Sequence, residues 1–310
     1  MKPSLEVDLN GLRFAHPVLA ASGCLATGHD VPALVDLHRL GGVVSRSLTL
    51  TPSKGAPTPR SAETASGLLS AVGLQNPGVE VFLAEDLPRL HKVGVPVIVS
   101  IAGASPEEYI RLARMVQNQP GVVAIEVYLS GPDPDRGGDP IYARADRVLE
   151  IVGAVSRLSN LPVFVKLPPL VPDLVETAQA CVRAGAFGLT LVDTMPGLAV
   201  DAQRLRPKTA VPIAGLSGPA LKPLALAAVF QVTRAMPDIP VMGVGGISTG
   251  LDAVEFFLAG AWAVQVGTAM LVDPAAPVEI ARGILDYLRD KGIASPADLR
   301  GRLRVRGAST

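Results

Sequence analysis

Eight short apolar runs recur along this chain of 310 residues, each separated from the next by a longer stretch of helical character. They cover residues 17–22, 42–47, 96–101, 122–127, 162–167, 188–192, 240–245 and 263–267. A strand followed by a helix cannot pair antiparallel with the next strand through a tight turn, so this alternation implies βα units and a parallel sheet. The runs are almost continuously apolar, as strands covered on both faces require. Glycine closes several of the helices, at Gly94 and Gly185 for example, and proline opens several strands, at Pro96, Pro162 and Pro240. Eight strands is the number that closes a (β/α)8 TIM barrel. The expected fold is therefore α/β, with residues 1–310 forming one barrel domain. An open doubly wound sheet is the second choice, because its glycine-rich tip would follow the first strand rather than come late.

Three connections exceed the usual βα length: residues 49–78, 130–142 and 193–223. Each follows the C-terminal end of a strand, the barrel face that carries active sites. Long loops there are expected to act as lids and pocket walls. The last two strands end in glycine, at Val244-Gly245-Gly246 and Val266-Gly267-Thr268. Without a Cβ, such tips let backbone N–H groups approach a bound anion closely. Two of them about twenty residues apart, late in a barrel, point to a phosphate-bearing cofactor. The alternative is that the glycines only make tight strand-to-helix turns.

Composition narrows the function classes. The formal net charge is zero and no basic run is present, so nucleic-acid binding has no electrostatic support. Aromatic residues are scarce at 4%, which leaves Leu, Val and Ala to fill the core. The two cysteines, Cys24 and Cys181, are too far apart in sequence to suggest a disulfide framework or a metal site. No apolar run is long enough to span a bilayer, and the first eight residues read as neither signal peptide nor anchor. A cytoplasmic protein is expected.

Ala21-Ser22-Gly23-Cys24, Thr58-Pro59-Arg60, Glu63-Thr64-Ala65-Ser66-Gly67, Gly73-Leu74-Gln75-Asn76-Pro77-Gly78, Val165-Lys166-Leu167, Gly215-Leu216-Ser217-Gly218 and the two glycine tips occur in a specific order and spacing. In this pattern the chain resembles the dihydroorotate dehydrogenase family over nearly its whole length, most closely the soluble two-subunit class linked to NAD. The resemblance implies FMN as cofactor. It assigns the phosphate to Gly245, Gly246, Gly267 and Thr268. It puts Ala21, Ser22, Gly23, Arg46, Ser100, Thr194, Ser217 and Gly218 near the flavin. Lys166 matches the lysine at the flavin N1/O2 edge, where a fixed cation stabilises reduced flavin; the alternative is a strand-end lysine reaching solvent. The resemblance also implies a small-molecule substrate, a homodimer and an iron–sulfur flavoprotein electron-transfer subunit.

The substrate half of the pattern departs from the family. Where the family has Asn-x-Ser-Cys-Pro-Asn after the fourth strand, this chain has Tyr128-Leu129-Ser130-Gly131-Pro132-Asp133. Gly131 thus stands in the place of the catalytic cysteine base. General base catalysis commonly contributes about 10²–10⁴-fold, so dihydroorotate oxidation should suffer. Ser130 lies next to the base position, and strand alternation is expected to point it to the other face. Tyr128 replaces a pocket-facing asparagine and is the better candidate acid, or else a packing residue. The other positions aligned with substrate contacts are Arg46, Ser70, Gly73, Leu74, Asp133, Asp193 and Thr194. Asparagine both donates and accepts, whereas a carboxylate only accepts, so Asp133 and Asp193 suit a ligand less anionic than orotate. Three readings stay open: an oxidoreductase acting on dihydroorotate with Tyr128, Ser130 or Lys166 at the chemistry, one acting on another CH–CH or C=C bond, and a non-catalytic FMN-binding subunit.

Overall fold

The computed structural model describes residues 3–25, 35–131 and 140–304. Eight parallel strands close into a barrel: β1 (Val18–Ala20), β2 (Gly42–Val44), β3 (Val97–Ile101), β4 (Val122–Tyr128), β5 (Val163–Leu167), β6 (Gly188–Leu191), β7 (Val241–Val244) and β8 (Ala263–Val266). Each strand pairs with its neighbours in chain order, and β8 returns to β1 through Gln265 opposite Leu19. All eight fall within the runs read from the sequence, apart from Tyr128 at the end of β4. Among the described residues no helix is long and apolar enough to cross a membrane.

Local chemistry starts and stops the helices. Ser105 caps Pro106–Val116 with a proline in the first turn, and the Asp173 carboxylate caps Leu174–Arg183 by accepting from the Glu176 amide at 2.9 Å. Gly94, Gly260 and Gly292 end their helices in the left-handed conformation. The larger core lies between these helices and the outward-facing strand residues, such as Val97, Val99 and Ile101 of β3.

The barrel interior is layered. Leu19, Val44, Ile98, Ala124, Phe164, Met242 and Ala263 form an apolar layer at its N-terminal end. A hairpin of Val7–Leu9 and Leu12–Phe14 seals that end with Val7, Leu9 and Phe14. Its two-residue turn, Asn10-Gly11, has positive φ at both positions, the geometry that matches strand twist.

Two of the three long connections are more ordered than loops. Residues 49–78 contain a hairpin of Ser61–Thr64 and Gly67–Ser70, and the second of these strands pairs with Ala214–Ser217, which pairs in turn with Met195–Gly197. The resulting four-stranded antiparallel sheet stands over the C-terminal end of the barrel. Its strands are three or four residues long and hold glycine and proline, so local propensity conceals them and long-range pairing makes them.

The turn after β7 is pinned by Asp252. This carboxylate accepts from the Ser248 and Thr249 amides at 3.0 and 2.8 Å, closes a capping box with Thr249, and pairs with Lys222 at 2.6 Å. Burial by itself would raise its pKa, but the donors from Lys222, Ser248 and Thr249 outweigh it and hold the group at about 2 rather than 3.8. A depressed folded value means that the stability it supplies is complete above its unfolded value and lost as pH falls toward about 2. Asp252→Ala is expected to lower stability by about 2–3 kcal/mol and to flatten the acid limb of the stability profile below about pH 4, both read from urea melts across pH.

Candidate active site

The strand tips and the covering sheet enclose a cavity of about 860 Å³. It reaches from Ala21, Ser22 and Gly23 at the end of β1, across Tyr128, Lys166 and Asp193, to Gly245, Gly246, Gly267 and Thr268. Arg46, Thr194, Ser217 and Gly218 also line it, and Ser70, Gly73 and Leu74 form a wall on the covering sheet. Two expected site residues are placed otherwise. Ser100 is fully buried, its hydroxyl 2.9 Å from that of Ser47, and only Ser47 reaches the cavity. Asp133 lies outside the described residues.

The wall at Ser70–Leu74 is braced from outside. Arg60 donates to the Ala56 and Lys54 carbonyls at 2.6 and 2.8 Å and to Gln75 Oε1 at 2.5 Å. Asn76 donates to the Leu74 carbonyl at 2.7 Å and accepts from the Gly78 amide at 2.9 Å. Leu74 itself sits at φ 55°, a conformation tolerated where surrounding contacts over-determine it.

At the centre, Lys166 Nζ lies 3.7 Å from Asp193 Oδ1, both side chains nearly buried. Burial alone would lower the Lys166 pKa, but Asp193 and then Glu126 outweigh it and hold the ammonium above its ordinary value. Ser130 Oγ donates to Asp193 Oδ2 at 2.6 Å. Ser130 therefore faces the cavity beside Tyr128 rather than turning away from it, because it lies two residues beyond Tyr128 and so on the same face. The Ser130 hydroxyl is also within hydrogen-bonding reach of the Tyr128 phenol. Burial, then the nearby Asp193 carboxylate, push that phenol above its usual value. It stays protonated at neutral pH. Tyr109 donates to the Tyr128 carbonyl at 2.5 Å and fixes the strand end.

Sequence reading passed over Tyr142, which lines the cavity, and whose phenol is raised by burial and by Asp193. It also passed over Cys24 as a site residue. Burial raises that thiol to about 11, although Lys166 and Arg46 act the other way, so it is not a ready thiolate. Among the described residues no cluster of His, Cys, Asp and Glu could hold a metal.

Comparison with known proteins bears on this arrangement. The family model described as dihydroorotate dehydrogenase matches residues 4–288. The chain is 44% identical over 304 residues to the protein named dihydroorotate dehydrogenase B (NAD(+)), catalytic subunit, of Geotalea daltonii, covering 98% of this chain and 99% of that one. The proteins of the same name from Pelobacter propionicus and Geobacter sulfurreducens are 45% and 44% identical, each covering 98% of this chain and 99% of the relative.

The chain belongs to the dihydroorotate dehydrogenase family.

It is an FMN-dependent oxidoreductase acting on CH–CH bonds. The cavity fits that cofactor. A Cβ on Gly245 would lie 2.9 Å from Ala225 Cβ, and one on Gly246 would lie 2.8 Å from the Lys222 nitrogen. Only glycine lets these tips lie against the next helix while their backbone lines the cavity. Donors are also left over among the described residues: Arg46 Nε is buried without a partner, and Lys166 has only Asp193 within ion-pair distance for its three N–H groups. Gly131, which stands where the family has its base, is buried, and among the described residues a Cβ there would meet only Leu74 Cδ1, at 3.7 Å.

Removing one member of a buried ion pair leaves the other uncompensated. Asp193→Ala is expected to destabilise the protein by roughly 3 kcal/mol. Ser130→Ala, which keeps the pair, should cost about 1 kcal/mol. Denaturant melts of the two variants check the difference.

Proposed function

We propose that this enzyme reduces a carbonyl-conjugated C=C bond, or oxidises its saturated counterpart, in a substrate less anionic than orotate, with Tyr128 as the proton donor. The observation that carries this reading is the chain Tyr128–Ser130–Asp193–Lys166 beside an empty base position at Gly131. FMN supplies the hydride chemistry. Gly245, Gly246, Gly267 and Thr268 would hold its phosphate, and Lys166 would meet the N1/O2 edge, with Arg46 donating nearby. Ala21, Ser22, Gly23, Thr194 and Gly218 would complete the flavin wall.

Tyr128 gives its phenolic proton to the carbon next to the substrate carbonyl. The phenolate regains its proton from solvent as product leaves, and Asp193 fixes the Ser130 hydroxyl by accepting from it at 2.6 Å. A phenol held protonated by burial is suited to donate and poorly suited to abstract. Asp193 stands where the family has an asparagine, so it accepts hydrogen bonds and offers none to a substrate carboxylate. The substrate would rest against Ser70, Gly73 and Leu74.

A second reading keeps dihydroorotate as substrate. Its support is that Ser130 faces the cavity with a carboxylate 2.6 Å away to receive its proton, which makes it a candidate base. The names of the relatives favour this reading too.

By analogy with relatives named as catalytic subunits of NAD-linked enzymes, we propose that electrons reach NAD through a second, iron–sulfur flavoprotein subunit. The two cysteines of this chain cannot hold such a cluster. The family resemblance carries a homodimer in the cytoplasm.

The deciding experiment is anaerobic titration of the flavin-loaded protein with dihydroorotate. The flavin is expected to stay oxidised, and Gly131→Cys is expected not to restore bleaching. Stoichiometric bleaching of the unaltered protein would establish the second reading instead. Separately, Tyr128→Phe should slow oxidation of the reduced protein by an activated alkene such as a cyclic enone by about 10²-fold or more in stopped-flow measurements. An unchanged rate would remove Tyr128 from the chemistry.

A further inference from the structure

One layer below the cavity, the barrel interior holds an acid that the reaction described above does not use. Glu126 of β4 lies two residues before Tyr128 and is fully buried. Thr190 of β6 donates to its Oε2 at 2.9 Å, and Gln265 Nε2 of β8 donates to the same oxygen at 3.2 Å. Both donors are themselves fully buried. Three strands thus converge on one carboxylate oxygen.

The other oxygen, Oε1, has no partner, and neither has Gln265 Oε1. No cation comes within ion-pair distance of Glu126 among the described residues. Lys166 stands opposite Thr190, the donor to Glu126, in the β5–β6 ladder, and Asp193 and Glu126 together hold its ammonium above its ordinary value. Stability does not explain this arrangement. An unpaired buried carboxylate costs several kcal/mol, and the layer immediately below is apolar and closed.

The position does suggest a role. Lys166 sits between Asp193 toward the cavity and Glu126 toward the barrel floor. A carboxylate fixed by Thr190 and Gln265 at constant depth sets how much net positive charge the ammonium presents at the strand ends. We propose that Glu126, held by Thr190 and Gln265, is a positioning residue that acts through Lys166 to set the reduction potential of the cofactor. The inference rests on the reading that Lys166 meets the flavin N1/O2 edge. Negative charge beneath that edge opposes the negative charge that reduction brings to it, so Glu126 lowers the potential and holds Lys166 charged.

The test is equilibrium reduction of the flavin-loaded protein against a reference dye. Glu126→Gln, nearly the same size, should shift the equilibrium about tenfold toward the reduced form, which is about 30 mV for a two-electron couple. Glu126→Asp, which keeps the charge, should shift it less than threefold. Should Glu126→Gln fail to fold, Thr190→Val, which releases the carboxylate from the depth at which it is held, should still move the equilibrium by about threefold. A purely structural role would change melting temperature and leave the dye equilibrium where it is, which would overturn the proposal. Lys166→Met, measured alongside, keeps the two inferences apart. If it shifts the equilibrium toward the oxidised form while the variants of Glu126 and Thr190 do nothing, Glu126 alone is excluded. If Lys166→Met also does nothing, the flavin-edge reading of Lys166 fails, and the proposal with it.

Discussion

A charged lysine inside a closed barrel must be compensated, and the rest of the site depends on how that is done. Lys166 projects from β5 into an interior that is apolar below and open to a cavity above. Asp193, 3.7 Å away, lies where the chain leaves β6 for the covering sheet. The ion pair therefore ties the barrel interior to the loops that shape the pocket. Ser130 joins it through Asp193 Oδ2, and Tyr128 joins through Ser130. Strands β4, β5 and β6 thus deliver one connected polar group to the mouth of the barrel, with Glu126, Thr190 and Gln265 beneath it.

The same compensation bears on what the pocket can bind. In the family pattern the positions of Tyr128 and Asp193 carry amides, which donate and accept. Here one has become a neutral phenol and the other a carboxylate already engaged by a lysine and a serine. Exchanging a neutral amide for a carboxylate beside Lys166 takes the pair's formal charge from +1 to zero. What also changes is the supply of hydrogen-bond donors toward an anionic ligand. Together with the glycine at position 131, this is the chemistry on which the proposal of a different substrate rests.

The retained part has its own mechanical support. Asp252 binds the turn after β7 to the helix at Gly250–Ala259 and, through Lys222, to the helix at Lys222–Ala235. The glycine tips at Gly245 and Gly246 lie against that second helix with no space for a Cβ. Packing and anion binding therefore impose the same residue type at the same positions, and the two explanations offered for these glycines are not exclusive.

Much of this was legible in the chain itself. Eight apolar runs with helix-like spacers fix a parallel barrel, because strand period, crossover length and burial on both faces are local or nearly local properties. The Asn10-Gly11 hairpin was equally legible and was passed over in favour of asking whether the N-terminus was a targeting segment. The cofactor side was readable because glycine tips and Lys166 sit in contiguous motifs. The covering sheet was not, since Gly215 finds Ser70 across the barrel mouth and neither segment has strand propensity of its own. Nor was the withdrawal of Ser100 behind Ser47; the side that Ser130 faces follows from its place two residues after Tyr128. Glu126, Thr190 and Gln265 lie far apart in sequence, and each is an ordinary polar residue in an apolar run. Only closure of the barrel brings them together, because the side chains that meet in one layer come from strands separated by scores of residues. Sequence determined which elements form and which strand tips end in glycine; tertiary structure decided which polar groups share one buried space, because closure of the barrel brings distant strands into one layer.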